Sequence, residues 1–325
     1  MKIIVVTPVK NEEWVIRTFL EVTSQFADSI LIADQNSDDN TVLIARSFPK
    51  VNVLANPSAA YNNSTRQKFL IDKARELHPG NNIIIALDAD EVLAAGSLNT
   101  AEWNEIKQLP AGTLLYFKKT DLIEKGSKVL HLADAFFPLG FIDDGKMEHK
   151  GKPMHSVRVP ISNQSQQAFK ANEIFFLHLQ RLRPQTQEAK RRFYQVKEKD
   201  FAMNPWYWRR KRYRKADFLG LNFPTRPTPE SFVDYPPELN VDFGGLLEKP
   251  DNWFDKEVFV QLAKNGSFHY WFEDIWDKDW KQYGLERKMN IKITPPPDFF
   301  RKVLKIADWL FDFLYKFKQK LAAGS

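Results

Sequence analysis

At 325 residues the chain is long enough for one large domain, or one domain with a substantial appendage, and its 43% of hydrophobic residues can build a proper core. Large-scale disorder is thereby excluded, and with no cysteine so are disulfides, thiolate catalysis and zinc–thiolate sites. A formal charge of +6 suits a phosphate-bearing ligand or an anionic membrane surface, and no run of about 18 uncharged apolar residues offers a membrane-crossing helix.

The chain enters directly on Ile3-Ile4-Val5-Val6, an apolar run too short for a signal peptide, which reads as a buried strand left by the loop from Thr7 to Glu13. Trp14, Val15, Thr18, Phe19 and Val22 then recur at helical spacing. Ser29 to Ala33 is a second strand, and the turn Asp34-Gln35-Asn36-Ser37-Asp38-Asp39-Asn40-Thr41 is rich in residues that bond their own backbone and start helices. A helix over Val42 to Phe48, a short strand over Val51 to Leu54 and a helix over Ser64 to Glu76 follow. Next comes Ile83 to Glu91, a continuous apolar run ending in Asp88, Asp90 and Glu91, which reads as a central strand buried on both faces. Strand and helix thus alternate up to about residue 91, the pattern of a mostly parallel sheet with right-handed crossovers.

In such a sheet ligands bind at the carboxyl edge. Asp-x-Asp on an extended backbone would point both carboxylates the same way, toward a Mg²⁺ or Mn²⁺ whose remaining positions are filled by water and phosphates. The plain alternative is a solvated strand end. Neither Gly-x-Gly-x-x-Gly nor a Walker phosphate loop is present.

The order of motifs resembles the family 2 glycosyltransferases of the GT-A fold: Pro8-Val9-Lys10-Asn11-Glu12-Glu13 after the first strand, the Asp34 turn after the second, Thr65-Arg66 on a helix, then Asp88-Ala89-Asp90-Glu91. The family's usual text is close to Pro-x-Tyr-Asn-Glu-Glu, Asp-Asp-Gly-Ser-x-Asp-x-Thr, Ala-Arg-Asn and Asp-x-Asp, and the resemblance covers roughly residues 1 to 100. It implies an α/β fold with a Rossmann-like, mostly parallel sheet and flanking helices. Pro8, Asn11, Glu12, Asp34 and Gln35 are implied to hold the nucleoside, and Arg66 to face the nucleotide. Asp90 is implied to ligate the cation, with Asp88 nearer the ribose or sugar and Glu91 behind them. Two departures stand out: Gln35 replaces the turn's second acid and Lys10 the tyrosine, which leaves the base open, UDP being favoured over GDP.

Beyond the motif, Ala111 to Thr120 and Val129 to Leu132 read as strands, and Phe136 to Ser156 as a long charged stretch. By the resemblance, an inverting enzyme places its general base there, and Asp143, Asp144 and Glu148 are the candidates. His178 ends the apolar strand Glu173 to Leu179 and is a candidate late metal ligand, ranked ahead of His155; imidazole suits Mn²⁺ better than Mg²⁺. A histidine bonded to a backbone partner is the plain alternative.

Pro184 to Phe201 reads as a charged helix, with Ala189, Phe193, Val196 and Phe201 on one stripe. It leads into Asn204 to Lys215, the densest basic run, whose interleaved aromatics suit a lipid diphosphate, an exposed basic helix or, less well, nucleic acid. Six prolines between Pro224 and Pro250 forbid long helices there, and Val258 to Trp280 is aromatic and helical in pattern. After Pro295-Pro296-Pro297, the helix Asp298 to Leu321 places Phe299, Val303, Ile306, Leu310, Phe313, Phe317 and Leu321 on one face, fit for a bilayer interface or for docking.

The expected organisation is therefore a catalytic GT-A domain over 1–183, a helical and irregular acceptor-side region over 184–294 and an amphipathic helix over 295–325. The expected protein is a metal-dependent glycosyltransferase in the cytoplasm, at the inner membrane face through residues 298–321, using a nucleotide-diphosphate sugar and a glycan or lipid-linked acceptor. The rivals are a sugar nucleotidyltransferase, disfavoured because Pro8 to Glu13 has no glycine, and a non-catalytic nucleic-acid- or membrane-binding protein.

Overall fold

A computed structural model describes residues 1–56, 61–130, 135–161, 166–246, 252–289 and 291–323. The chain forms two compact units: Met1–Arg183 with Pro224–Glu248, and Pro184–Phe223 with Lys249–Ser325.

The first unit opens with strands and helices in alternation: β1 (Ile3–Val9), α1 (Ile16–Phe26), β2 (Ser29–Asp34), α2 (Thr41–Ala45), β3 (Val51–Ala55), α3 (Asn63–Leu77) and β4 (Ile83–Ala86). β5 (Glu91–Leu93), α4 (Glu102–Ile106), β6 (Leu114–Ile123), β7 (Lys128–Leu130), β8 (Phe136–Ile142) and β9 (Ala168–His178) complete its main run. β3, β2, β1 and β4 lie side by side and parallel. β8 is antiparallel to β4, β6 antiparallel to β8, and β9 parallel to β6 and antiparallel to β5. Alternation of side chains sends Val5, Ile30, Ile32, Ile83 and Ile85 to one face with Phe19 and Leu20 of α1, and Ile4, Val6, Leu31, Ile84 and Ala86 to the other with Leu70, Ile71 and Ala74 of α3. Both faces of these strands are thus covered, which is why they read as unbroken apolar runs.

Two differences from the sequence reading bear on the site. Phe136–Ile142, expected within a long charged stretch, is a strand in the sheet centre. The Ile83 strand stops at Ala86, and Ala89–Asp90 is a turn in which Glu91 N–H donates to the Asp88 carbonyl at 3.0 Å. Residues 131 and 132 of the strand expected over 129–132 lie outside the described residues.

The second unit begins with α5 (Pro184–Asp200), α6 (Trp206–Arg212) and α7 (Lys215–Phe218). Pro224–Glu248 belongs to the first unit, where β10 (Thr225–Pro227) pairs with β7 and α8 (Glu230–Val233) follows. The second unit resumes with α9 (Trp253–Asn265), α10 (Trp280–Glu286) and α11 (Asp298–Ala323), so the terminal helix is part of this unit. Buried arginines pair with acids throughout it: Arg192 with Asp255 at 2.9 and 3.0 Å, Arg191 with Asp277 at 2.8 Å, Arg209 with Glu273 at 3.0 Å and Arg210 with Asp308 at 2.6 Å. The basic run of residues 204–215 is therefore no solvated phosphate-binding face along its length; Arg209 and Arg210 are inside, neutralised by carboxylates from distant sequence. Phe201, expected on the buried stripe of α5, falls beyond the helix and is exposed.

Candidate functional site

The carboxyl ends of β1 and β2 carry two loops that are hydrogen-bonded into one body. Asn11 N–H donates to Ser37 Oγ at 2.9 Å, and Ser37 Oγ–H in turn donates to Asp34 Oδ1 at 2.6 Å. The side chain of Asn11 donates to Asp38 at 2.6 Å and accepts from the Asp38 N–H at 2.9 Å. Both Asn11 (φ 56°) and Asn36 (φ 53°) stand in the left-handed region, which asparagine tolerates better than most residues. Glu12 N–H donates to Thr41 Oγ1 at 2.8 Å, and the Glu12 carboxylate accepts from Trp14 Nε1 at 2.7 Å.

Across from these loops the first turn of α3 supplies Arg66. Its guanidinium donates to Gln35 Oε1 at 2.8 Å and to Asn63 Oδ1 at 2.9 Å, and it lies over the Tyr61 ring at 5.1 Å. The replacement of an acid by Gln35 thus has a local consequence: Arg66 is oriented by an amide, and its charge is not cancelled there. The structure brings Pro8, Asn11, Glu12, Asp34, Gln35 and Arg66 to one edge.

At the end of β4 the two aspartates diverge. Because residues 89–90 form a turn, Asp88 and Asp90 do not share one face of an extended strand. Asp88 accepts from Arg158 Nη2 at 2.5 Å, whereas Asp90, 7% exposed, has its Oδ2 3.6 Å from His178 Nε2. Glu91 is fully buried between Arg158 and Lys119, the latter at 2.7 Å, and accepts the Asp88 N–H at 3.1 Å. Burial opposes its charge, but Arg158 and Lys119 outweigh burial and hold the carboxyl well below the usual range. Glu91 is thus the pivot that fixes the turn.

His178 closes β9 opposite Glu91 in the antiparallel pairing with β5. Its Nδ1 is 2.5 Å from Asp121 Oδ1, and Arg181 Nε donates to Asp121 Oδ2 at 3.0 Å. Burial disfavours the imidazolium, yet Asp90 and Asp121 raise its pKa to about 9; against burial, His178 and Arg181 lower Asp121 to about 2. With Asp121 occupying Nδ1, the Nε2 edge is the one turned to Asp90.

A divalent cation fits this donor set once the His178 ring has lost its Nε2 proton, so binding there would displace the proton that Asp90 and Asp121 otherwise keep on the imidazole. A buried carboxylate faces an imidazole nitrogen, and a carboxylate holds the far side of the ring, as in many metal sites. Among the described residues no group of three or more His, Cys, Asp or Glu could hold a metal ion alone. Asp90 and His178 would therefore share it with water and a ligand's phosphates.

The acids considered as general base lie elsewhere. Asp143 follows β8, its N–H bonded to the Asn82 carbonyl at the amino end of β4, roughly 13 Å along the sheet from the strand's other end at Ala86 at 3.3 Å per residue. It is buried in a two-pronged ion pair with Arg75, at 2.7 and 3.0 Å. Asp144 accepts the N–H groups of Lys146 and Met147, both at 2.8 Å; against burial, these bonds hold its carboxyl below the ordinary value. Glu148 is exposed, 3.9 Å from Lys150. His155 is exposed too, in a turn where the Pro153 carbonyl accepts Asn63 N–H. Sequence reasoning missed Arg158, Lys119, Asp121 and Arg181. Lys119 and Asp121 share the strand face opposite Glu91 and His178, a period-two signal that was legible; Arg158 sits in an irregular loop and left none.

Residues 4–112 match the family model described as glycosyl transferase family 2. No curated protein matches the chain. Similar solved structures include S. aureus TarS 1-349, at 12% identity over 83% of this chain and 72% of that one with a TM-score of 0.36. Glucosyl-3-phosphoglycerate synthase from Mycobacterium tuberculosis, in complex with Mn²⁺, UDP and glucosyl-3-phosphoglycerate, matches at 16% identity over 37% of this chain and 44% of that one, TM-score 0.26. HddC from Yersinia pseudotuberculosis matches at 10% over 55% and 94%, TM-score 0.35. The chain thus covers less than half the length of the mycobacterial synthase.

Proposed function

We propose, on the premise that residues 4–112 form a family 2 glycosyltransferase domain, that the protein moves a sugar from a nucleotide-diphosphate sugar to a hydroxyl of a glycan or lipid-linked acceptor in the cytoplasm. The expected donor is a UDP-sugar. Asp34, Gln35 and Arg66 hold the nucleotide, Arg66 offering its guanidinium to phosphate oxygens or a base edge. Asp90 and His178 would hold Mn²⁺ or Mg²⁺, which would supply the positive charge that offsets a diphosphate leaving group. Arg158, Lys119 and Glu91 keep the Asp88–Asp90 turn in place. The reaction is a single in-line displacement with inversion: the acceptor oxygen forms its bond to the anomeric carbon as the diphosphate oxygen departs, and a carboxylate accepts the hydroxyl proton.

The observation that supports this reading most is the meeting of Asp90 and His178 past the carboxyl end of β4, on the sheet edge that also carries the Gln35–Arg66 pair. A thermal-shift panel of UDP-, GDP-, dTDP- and CMP-sugars, with and without Mn²⁺, tests it, because a bound ligand raises stability by mass action. The expected result is a Mn²⁺-dependent rise with UDP-sugars that Asp90→Ala abolishes; an unchanged rise in that variant would sink the assignment.

A further inference from the structure

Helix α11 is amphipathic in an unusual sense, since the face that docks is not the face that is most apolar. Within the second unit it is held against α6 by Arg210 on Asp308, by Phe311 packed on Tyr207 at 4.7 Å and on Trp208 at 5.2 Å, and by Tyr315 on Trp208 at 5.5 Å, and against the segment after α6 by Arg214 on Asp312. Leu304 is buried and Phe300 packs on Phe272 at 5.3 Å. Positions 300, 304, 308, 311, 312 and 315 recur at three- and four-residue steps and make one stripe.

On the opposite side stand Phe299, Val303, Ile306, Leu310, Phe313 and Phe317, between 46% and 69% exposed, widened by Trp309 and Leu314. Eight large apolar side chains in one continuous ridge are more than scattered surface hydrophobes, and such a patch marks an interaction surface. Charge then selects the occupant. The three acids of the helix are consumed: Asp308 and Asp312 by docking, Asp298 by Arg301. Lys302 and Lys305, exposed, make no ion pair among the described residues, and the sequence adds Lys316, Lys318 and Lys320.

We infer that α11 is an in-plane anchor for an anionic lipid bilayer, docked on the protein by its Asp308–Asp312 stripe while its Phe299–Phe317 ridge enters the acyl boundary and its lysines meet anionic headgroups. No described helix is long and apolar enough to cross a membrane, in keeping with a helix that lies on one. A second copy of the chain fits less well, because the ridge is flanked by cations with no acid of the helix left to meet them. The inference deepens the partner side of the glycosyltransferase reading, but it stands on exposed side chains of the second unit alone and is tested without any sugar transfer.

The test is co-sedimentation of the full chain with vesicles of phosphatidylcholine mixed with phosphatidylglycerol, against pure phosphatidylcholine, at low and high salt. Binding to the anionic vesicles, weakened by salt, is expected. The double variant Ile306→Glu/Phe313→Glu, whose positions are exposed, should lower the partition coefficient roughly tenfold or more with an unchanged thermal midpoint. Lys302→Glu/Lys305→Glu should remove most of the preference for anionic vesicles. If the glutamate pair unfolds, Phe313→Ser carries the same comparison. Failure of the wild-type chain to bind, equal binding by folded ridge variants, or a wild-type dimer that these variants dissociate would each overturn the inference. A donor panel that shows no nucleotide-sugar binding would leave it untouched.

Discussion

Arg158 and Asp88 form a 2.5 Å ion pair in which the same guanidinium also grips the buried Glu91, so a loop residue some seventy positions away holds both shoulders of the Asp88–Asp90 turn. Removing one partner of a buried ion pair leaves an uncompensated charge and typically costs about 3–5 kcal/mol. Arg158→Ala is expected to approach the lower end, because Lys119 still neutralises part of Glu91 and Arg158 keeps some solvent contact. Glu91→Gln in the Arg158→Ala background should restore at least half of the loss in urea unfolding. Simple additivity of the two changes would show that the pair is not coupled.

The His178–Asp121 contact at 2.5 Å predicts a graded response to substitution. A carboxylate behind a metal-binding imidazole is commonly worth about 10–100-fold in metal affinity. Asp121→Asn is expected to weaken Mn²⁺-dependent UDP binding by about that factor in calorimetry, and His178→Ala by at least as much. Metal-independent binding of the nucleotide should change little in either. Wild-type Mn²⁺ affinity in His178→Ala would remove this residue from the metal set.

Arg66 is poised by Gln35 and Asn63. A charge-assisted hydrogen bond contributes about 1.5–3 kcal/mol, so Arg66→Ala should weaken UDP binding by roughly tenfold to a hundredfold with and without Mn²⁺. Gln35→Glu neutralises the guanidinium across the same contact and should lower affinity for the diphosphate more than for uridine. Equal losses for both ligands would place Arg66 on the base and not on the phosphates.

His149 supplies a pH signature separate from the site. Its Nε2 donates to the Val157 carbonyl at 2.8 Å, its Nδ1 is buried without a partner, and burial, aided by Lys68, pushes the imidazole below its ordinary 6.5. The unfolded chain therefore binds more protons than the folded one in the window just below pH 6.5. The stability this neutral ring contributes is complete above that pH and declines as pH falls toward the folded value. Wild type minus His149→Gln, followed by thermal unfolding from pH 7.5 to 5, should show a stability difference that shrinks on acidification; a flat difference would refute it.

The parallel half of the fold was legible because its signals are local: apolar runs bounded by turn residues, and helices with one apolar side. The gathering of Pro8, Asn11, Asp34, Gln35 and Arg66 at one edge followed from the same order of elements, since each of them sits at a strand exit or in the first turn of α3. The Asp-x-Asp pair was placed at the correct edge but given the wrong geometry, because a strand that ends at Ala86 and turns at Ala89 looks the same in one dimension as one that runs on. The placing of Asp143 was illegible for a related reason: distance along the chain says nothing of which sheet edge a residue reaches, and β8 returns it to the amino end of β4.

In the second unit, composition announced cations and aromatics, but only packing paired Arg209 with Glu273 and Arg210 with Asp308. The sequence by itself determined the alternation of strands and helices, the edge that carries the carboxylates and the amphipathic period of the last helix, because these depend on neighbours a few residues apart. Tertiary structure decided that Arg158 and Lys119 converge on Glu91, that His178 faces Asp90, and that α11 docks by its acidic stripe and displays its apolar ridge. Those relationships arise where the burial of charge and apolar surface is satisfied by groups far apart in sequence, and no local pattern encodes which distant group that is.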